Sequence, residues 1–186
     1  MPNNSKAPKK IMDAEEIDLA LSRMAAEVAE RKQVRESLAI IGIRRRGVPL
    51  GRKLADKIEK IINRSVPFGI LDITLYRDDL TTVATSPILK ESKINFDVNG
   101  KSIILVDDVL YTGRTIRAAL DALIDFGRPA RVEVAVLIDR GHRELPIHAA
   151  YIGKVVPTAA REIIEVKVLE EDGMEKVLLV EKGDNS

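Results

Sequence analysis

Residues 103–115 read IILVDDVLYTGRT: an apolar run ends in two adjacent carboxylates, Asp107 and Asp108, and is followed by the polar turn Thr112-Gly113-Arg114-Thr115. Carboxylates repel phosphate. Hydroxyls, a glycine and an arginine at a helix start attract it, because the first backbone N–H groups of a helix are unpaired and its dipole is positive there. Glycine at the bend lets the backbone approach an anion closely. A ligand that satisfies both halves carries hydroxyls or a metal at one end and a phosphoryl group at the other. The plainer reading is a strand–turn–helix connection in which aspartate is a turn residue. The patterns G-x-x-x-x-G-K-[ST] and G-x-G-x-x-G are both absent, so neither of those phosphate loops is present.

The elements that must position these residues follow from periodicity. Asp13 and Glu16 suit a capping box, and Ile17, Leu21, Met24 and Val28 form an apolar stripe, predicting a helix from Asp13 to about Lys32. LAIIGI (38–43) is a short buried strand, RRRG follows, and a second helix is expected over Pro49–Ile62. Further strands are expected over 66–76, 101–106 and 130–138, with a helix over Thr115–Phe126 closed by Gly127. Residues 77–100 are polar and rich in turn formers, which predicts a mobile functional loop. The C-terminal segment reads as a hairpin with a two-residue turn at Asp172-Gly173. Alternating strands and helices imply an α/β fold, a mostly parallel sheet flanked by helices.

The chain has 186 residues, 45% hydrophobic and 32% charged, which suits one soluble domain. Thirty basic against twenty-nine acidic side chains leave almost no net charge, so any nucleic-acid surface must be a local patch. No cysteine is present, which excludes disulfides and thiolate chemistry. Without an apolar run of membrane-spanning length or a secretion signal, a cytoplasmic protein is expected, with no membrane partner. Residues 1–10 read as a disordered basic tail, ahead of a single domain over 11–186.

The order of strand, two acids, two apolar positions, Tyr111 and Thr-Gly-Arg-Thr resembles the signature of type I phosphoribosyltransferases. These bind 5-phosphoribosyl-1-pyrophosphate (PRPP). The segments LDITLYRDDL, DALIDFGRPA, LIDRGHRELPI and YIGKVVPT extend the likeness over nearly the whole chain. Together they resemble the family of pyrimidine operon regulators with uracil phosphoribosyltransferase activity. The resemblance implies transfer of the phosphoribosyl group of PRPP to uracil, giving UMP and pyrophosphate. It also implies a small hood, about 139–160, and a dimer or tetramer.

On that resemblance, Asp107 and Asp108 meet the ribose hydroxyls, and Val109, Leu110, Tyr111, Thr112, Gly113, Arg114 and Thr115 complete the PRPP site. Arg44, Arg45, Arg46 and Arg77 face pyrophosphate, with Arg77 counted beside the two acids as catalytic. Three consecutive arginines are otherwise a solvated patch. The family usually carries Thr or a similar residue before the arginine equivalent to Arg46, so the extra arginine is a departure. Mg²⁺ is implied as a cation that arrives with PRPP, in reach of Asp107 and Asp108 and without a dedicated protein site. Asp78 and Asp79 either hold the open loop, contact Mg²⁺ or cap a turn. Purine enzymes of this type commonly place a carboxylate at position 111; tyrosine is neutral near pH 7 and favours a pyrimidine acceptor, with simple packing as the rival.

Arg140, Tyr151 and Ile152 are the expected uracil contacts. The family also binds a stem-loop of pyrimidine leader mRNA with UMP as corepressor, rather than DNA, and Ser22, Arg23, Arg143 and His148 match its RNA positions. Ala26 and His148 depart from the His and Arg common there. A protein that is mainly an RNA-binding nucleotide sensor, or a phosphoribosyltransferase for another base, is the alternative.

Overall fold

The computed structural model describes residues 7–78 and 91–182. Strand β1 (Lys9–Asp13) runs directly into helix α1 (Ala14–Glu30). The Asp13 carboxylate accepts the Glu16 N–H at 3.1 Å and the Glu16 carboxylate accepts the Asp13 N–H at 2.9 Å, the expected reciprocal cap. The stripe of Ile17, Leu21, Met24 and Val28 is buried. A short helix α2 (Lys32–Glu36) leads to β2 (Leu38–Ile43), every residue of which is buried, and then to α3 (Gly47–Ile62). Helix α3 starts two residues before Pro49, because a proline in the first turn lacks only an N–H that would be unpaired anyway.

The strand expected over 66–76 is shorter: β3 covers Phe68–Leu71, and a single 3₁₀ turn covers Thr74–Tyr76. Of the loop expected over 77–100, residues 79–90, including Asp79, lie outside the described residues. Residues 91–100 are anchored: Lys93 forms a β-bridge with Ile70, Val98 is buried, and Phe96 packs against the core. Strand β4 (Ser102–Leu110) continues through both acids, further than the predicted 106, and α4 (Arg114–Ile124) follows. Next come β5 (Arg131–Asp139), β6 (Tyr151–Val155), β7 (Glu162–Lys167), α5 (Leu169–Asp172) and β8 (Lys176–Glu181).

The central sheet has the order β3-β2-β4-β5-β6, parallel throughout. One cluster of buried side chains joins α1 and α3 to one face, and a second joins α4 to the other. A separate antiparallel sheet, β1-β8-β7, packs Ile164, Val166 and Val177 onto the α1 and α3 side. Two expectations are corrected here. Lys9 and Lys10 belong to a strand paired with β8, not to a disordered tail, because β8 offers a free edge; Lys6 lies outside the described residues. The segment read as a hood contributes β6, the edge strand of the main sheet.

The C-terminal hairpin is also not a two-residue turn. Helix α5 separates its strands and ends at Gly173 with φ +68°, so only the glycine half of the turn signal is used. Asp172 is diverted: its carboxylate accepts the Val168 N–H at 2.9 Å and takes Arg46 in a two-pronged pair at 2.9 and 3.1 Å. Those bonds hold the Asp172 carboxyl at about 2. A depressed acid adds stability above its unfolded value of 3.8, and that stability is lost as pH falls toward about 2. Asp172→Asn is therefore expected to lower the melting temperature at pH 7 by about 2–6 °C. The difference from wild type should shrink as pH drops from 4 to 2 in thermal scans. Among the described residues, no helix is long and apolar enough to cross a membrane.

Candidate active site

The chain leaves β2 toward β3 on one side, and the later strands β4, β5 and β6 extend to the other. The order therefore reverses between β2 and β4, and ligands of open parallel sheets bind at such a point beyond the carboxyl ends of the strands. Both suspect sequences sit there: Arg44-Arg45-Arg46 after β2, Asp107-Asp108 and the turn after β4. Gly47 brings them together. A Cβ at that residue would lie 2.3 Å from the Val106 carbonyl oxygen and 3.2 Å from the Asp107 Cα, so the arginine loop rests directly on the backbone that carries the acids.

Asp107 is 7% exposed, and its Oδ1 accepts the Asp108 N–H at 2.9 Å; Asp108 Oδ1 in turn accepts the Val109 N–H at 2.9 Å. Burial, followed by the Asp108 charge beside it, pushes the Asp107 carboxyl well above its ordinary range. The backbone N–H of Asp108 and the charge of Arg77 pull it back only partly. Each carboxyl commits one oxygen to the backbone. The pair offers hard oxygen ligands, and among the described residues no group of three or more His, Asp or Glu converges. That donor set fits a hydrated hard cation brought in largely by a substrate.

The turn is built as a cradle. Gly113 adopts φ +93°, the left-handed region, and its carbonyl accepts the Arg117 N–H at 3.0 Å as α4 begins. Arg77, Asp78, Tyr111, Thr112, Arg114 and Thr115 line a cavity of about 270 Å³. Arg114 itself faces sideways, donating from Nε to Glu144 at 2.6 Å and from Nη1 to Asp78 at 2.7 Å. Leu110 is buried beneath the cradle, while Val109 is partly exposed and packs against the α1 and α3 core.

The three arginines differ. Arg45 is exposed; its backbone carbonyl accepts the Val48 N–H at 3.1 Å, and its side chain makes no hydrogen bond or ion pair among the described residues. Arg44 donates from Nη2 to the Glu91 carbonyl at 3.0 Å, and its buried Nε has no partner. Arg46, expected at pyrophosphate, is instead held by Asp172, because a bidentate carboxylate satisfies its fork.

Tyr111 is 42% exposed, with the Arg140 guanidinium 4.0 Å from its ring centroid and His142 edge-on at 5.9 Å. Arg140, expected to donate to uracil, is buried and turned inward: Nε donates to Thr158 Oγ1 at 3.0 Å and Nη2 to the Glu162 carbonyl at 2.6 Å. Tyr151, expected to stack on uracil, is 2% exposed. Its hydroxyl donates to Glu133 at 3.0 Å and accepts from Arg31 at 2.8 Å, and burial with the Glu133 charge raises it to about 12. Ile152 lies beside it on β6, partly buried against the α4 core, its carbonyl accepting from Arg23 at 3.0 Å. Strand alternation sends neighbouring residues to opposite faces of the sheet, which the segment's turn-like sequence concealed.

The expected RNA residues are dispersed. Ser22 donates to the Asp18 carbonyl at 2.9 Å and accepts from Lys57 at 2.9 Å. Arg23 pairs with Glu27 at 2.8 Å and ties α1 to the Ile152 and Gly153 carbonyls. Arg143 is the most fully engaged of them. It is mostly buried, donating to Asp139 at 2.5 Å and to the Ile147 and Tyr111 carbonyls at 2.9 and 2.7 Å, and so fastens the 141–147 segment beneath the turn. His148 is exposed; against the effect of its own burial, the nearby Asp139 carboxyl is lowered chiefly by the hydrogen bonds from Arg143 and the Gly141 N–H.

Comparison with known proteins bears on this geometry. The family model described as phosphoribosyl transferase domain matches residues 9–171. A protein of Elusimicrobium minutum named bifunctional protein PyrR is 55% identical over 177 residues, covering 95% of this chain and 99% of its own. The chain belongs to the PyrR family. A second PyrR, from Thermus aquaticus, is 55% identical over 173 residues, covering 93% of this chain and 96% of its own. The hypoxanthine phosphoribosyltransferase of Trypanosoma cruzi superimposes with a TM-score of 0.70 at 16% identity, covering 96% of this chain and 98% of that one. That likeness shows the type I phosphoribosyltransferase fold.

Two functional features lay outside the sequence reading. Gly47 was visible only as the end of an arginine run, and Asp172 only as a turn former. Each matters through a residue more than 50 positions away, and local pattern carries no such signal.

Proposed function

We propose that this protein transfers the phosphoribosyl group of PRPP to uracil, releasing pyrophosphate and forming UMP, and that it binds pyrimidine leader mRNA under UMP control. The observation that carries the reading is the Gly47 contact, which sets an arginine loop, two carboxylates and an anion-binding turn around one switch point. The turn 111–115 is suited to the 5′-phosphate, with backbone N–H groups at the start of α4. Asp107 and Asp108 are suited to the ribose diol, where their charge offsets the positive charge that develops as the bond to pyrophosphate breaks. Arg45 and Arg44 are the cations for the leaving group; the unpartnered Nε of Arg44 is a donor without an acceptor in the free protein.

Mg²⁺ carried by PRPP would neutralise pyrophosphate charge, with the free oxygens of Asp107 and Asp108 as its nearest protein donors. Arg77, on the same cavity and acting electrostatically on Asp107, supports the pair. Position 111 carries a tyrosine where a purine enzyme of this type would carry a carboxylate, which supports a pyrimidine, and Arg140 backs the ring. Exposed Leu19, Leu169 and Met174 suit a dimer or tetramer of this chain.

The test is conversion of radiolabelled uracil to UMP by purified protein with PRPP and Mg²⁺. A protein that ignores uracil and consumes hypoxanthine contradicts the assignment. For the regulatory half, gel shifts with a pyrimidine leader stem-loop should tighten when UMP is added. Retardation indifferent to UMP rejects the coupling.

A further inference from the structure

The candidate phosphate turn of the free protein already faces an anion, and it is a side chain of the chain itself. Asp78 Oδ2 lies 2.7 Å from Arg114 Nη1 and 3.4 Å from Arg117 Nη1. Arg114 and Arg117 stand one helical turn apart at the start of α4, so the carboxylate bridges the two cations that border the turn. Asp78 also lines the cavity of about 270 Å³ formed with Arg77, Tyr111, Thr112, Arg114 and Thr115. A carboxylate near a helix start gains from the dipole just as phosphate does, so both compete for the same field. All three side chains are a third or more exposed, and such ion pairs are weak enough in water to be exchanged.

We propose that Asp78 is a resident counter-anion of the turn, which the phosphoryl group of an incoming sugar phosphate displaces from Arg114 and Arg117. This rests on the reading of residues 111–115 as the phosphate seat. In the free protein Asp78 quenches a cationic corner that would otherwise collect inorganic phosphate and simple monophosphates. A ligand that also engages the acidic pair and the arginine loop overcomes that competition. A lone phosphate does not. Asp78 thus weakens every ligand of the turn by a similar factor, so a lone anion is held too weakly to stay while a ligand held at further points remains bound.

The experiment is calorimetric titration of ribose 5-phosphate and of inorganic phosphate into full-length protein, in EDTA, for wild type and Asp78→Asn. The variant is expected to bind both anions roughly threefold to tenfold more tightly, with its melting temperature close to wild type. The gain should disappear in the Arg114→Gln background, where the contested cation is missing. Unchanged or weaker binding by Asp78→Asn overturns the proposal while leaving the phosphate seat intact. Failure of every protein, wild type included, to bind ribose 5-phosphate at millimolar concentration overturns the seat and the proposal with it. An Asp78→Asn defect that appears only when Mg²⁺ is added assigns the carboxylate to the cation, and overturns the proposal as well.

Discussion

Asp108→Asn is expected to reduce UMP formation about 10²–10³-fold, with an unchanged far-ultraviolet spectrum and little change in melting temperature. The substitution keeps the shape and the oxygen that accepts the Val109 N–H, and removes only the charge proposed to meet the ribose. Asp107→Asn should cut turnover comparably while acting differently on stability. The Asp107 carboxyl is held well above its unfolded value of 3.8 by burial and by Asp108. Below 3.8 both folded and unfolded forms are protonated, and burial carries no ionic penalty. As pH climbs from there through the raised folded value, the unfolded chain ionises first, so wild type loses stability and stays penalised above that range. Asp107→Asn removes the titration. Its advantage over wild type in thermal scans should grow from pH 4 to 7; a variant that instead melts lower at pH 7 than at pH 4, relative to wild type, contradicts the buried-acid account.

The second large effect is expected at Gly47. Alanine there would place a methyl group 2.3 Å from the Val106 carbonyl oxygen, and both contacts are backbone, so neither can rotate aside. Either α3 lifts from β4 or the strand end bends. The expected cost is about 1–3 kcal/mol of stability. The kinetic cost should be larger, about 10²-fold in turnover, because the arginine loop retreats from the acids and misplacement by about 1 Å is enough to spoil transition-state alignment. Single-turnover kinetics separate the two: a folded variant with slow chemistry supports the account. Gly47→Ala with wild-type turnover would mean that contact between loop and strand is dispensable.

The sequence made the outline legible because apolar periodicity and capping are local. The Asp13–Glu16 box, the buried run of β2, the acids at the end of β4 and the glycine of the turn all lie where their neighbours require. Tyr151, expected at uracil on the resemblance, is turned inward by its register on β6 opposite Ala135, which no local pattern announces. Arg46, Arg140 and Arg143 are engaged within the fold for a common reason. A guanidinium is read from sequence as a free cation, yet its donors are often consumed by carbonyls and carboxylates that only the tertiary fold brings near. Arg45, flanked by two such residues, is the one left open to solvent.

Strand β8 holds β1 through a ladder running from Lys9 opposite Leu179 to Asp13 opposite Lys176. The first and last of the described strands therefore lie side by side in the small sheet. Removing Lys9–Asp13 would strip β8 of its partner along that border and leave it as an open edge.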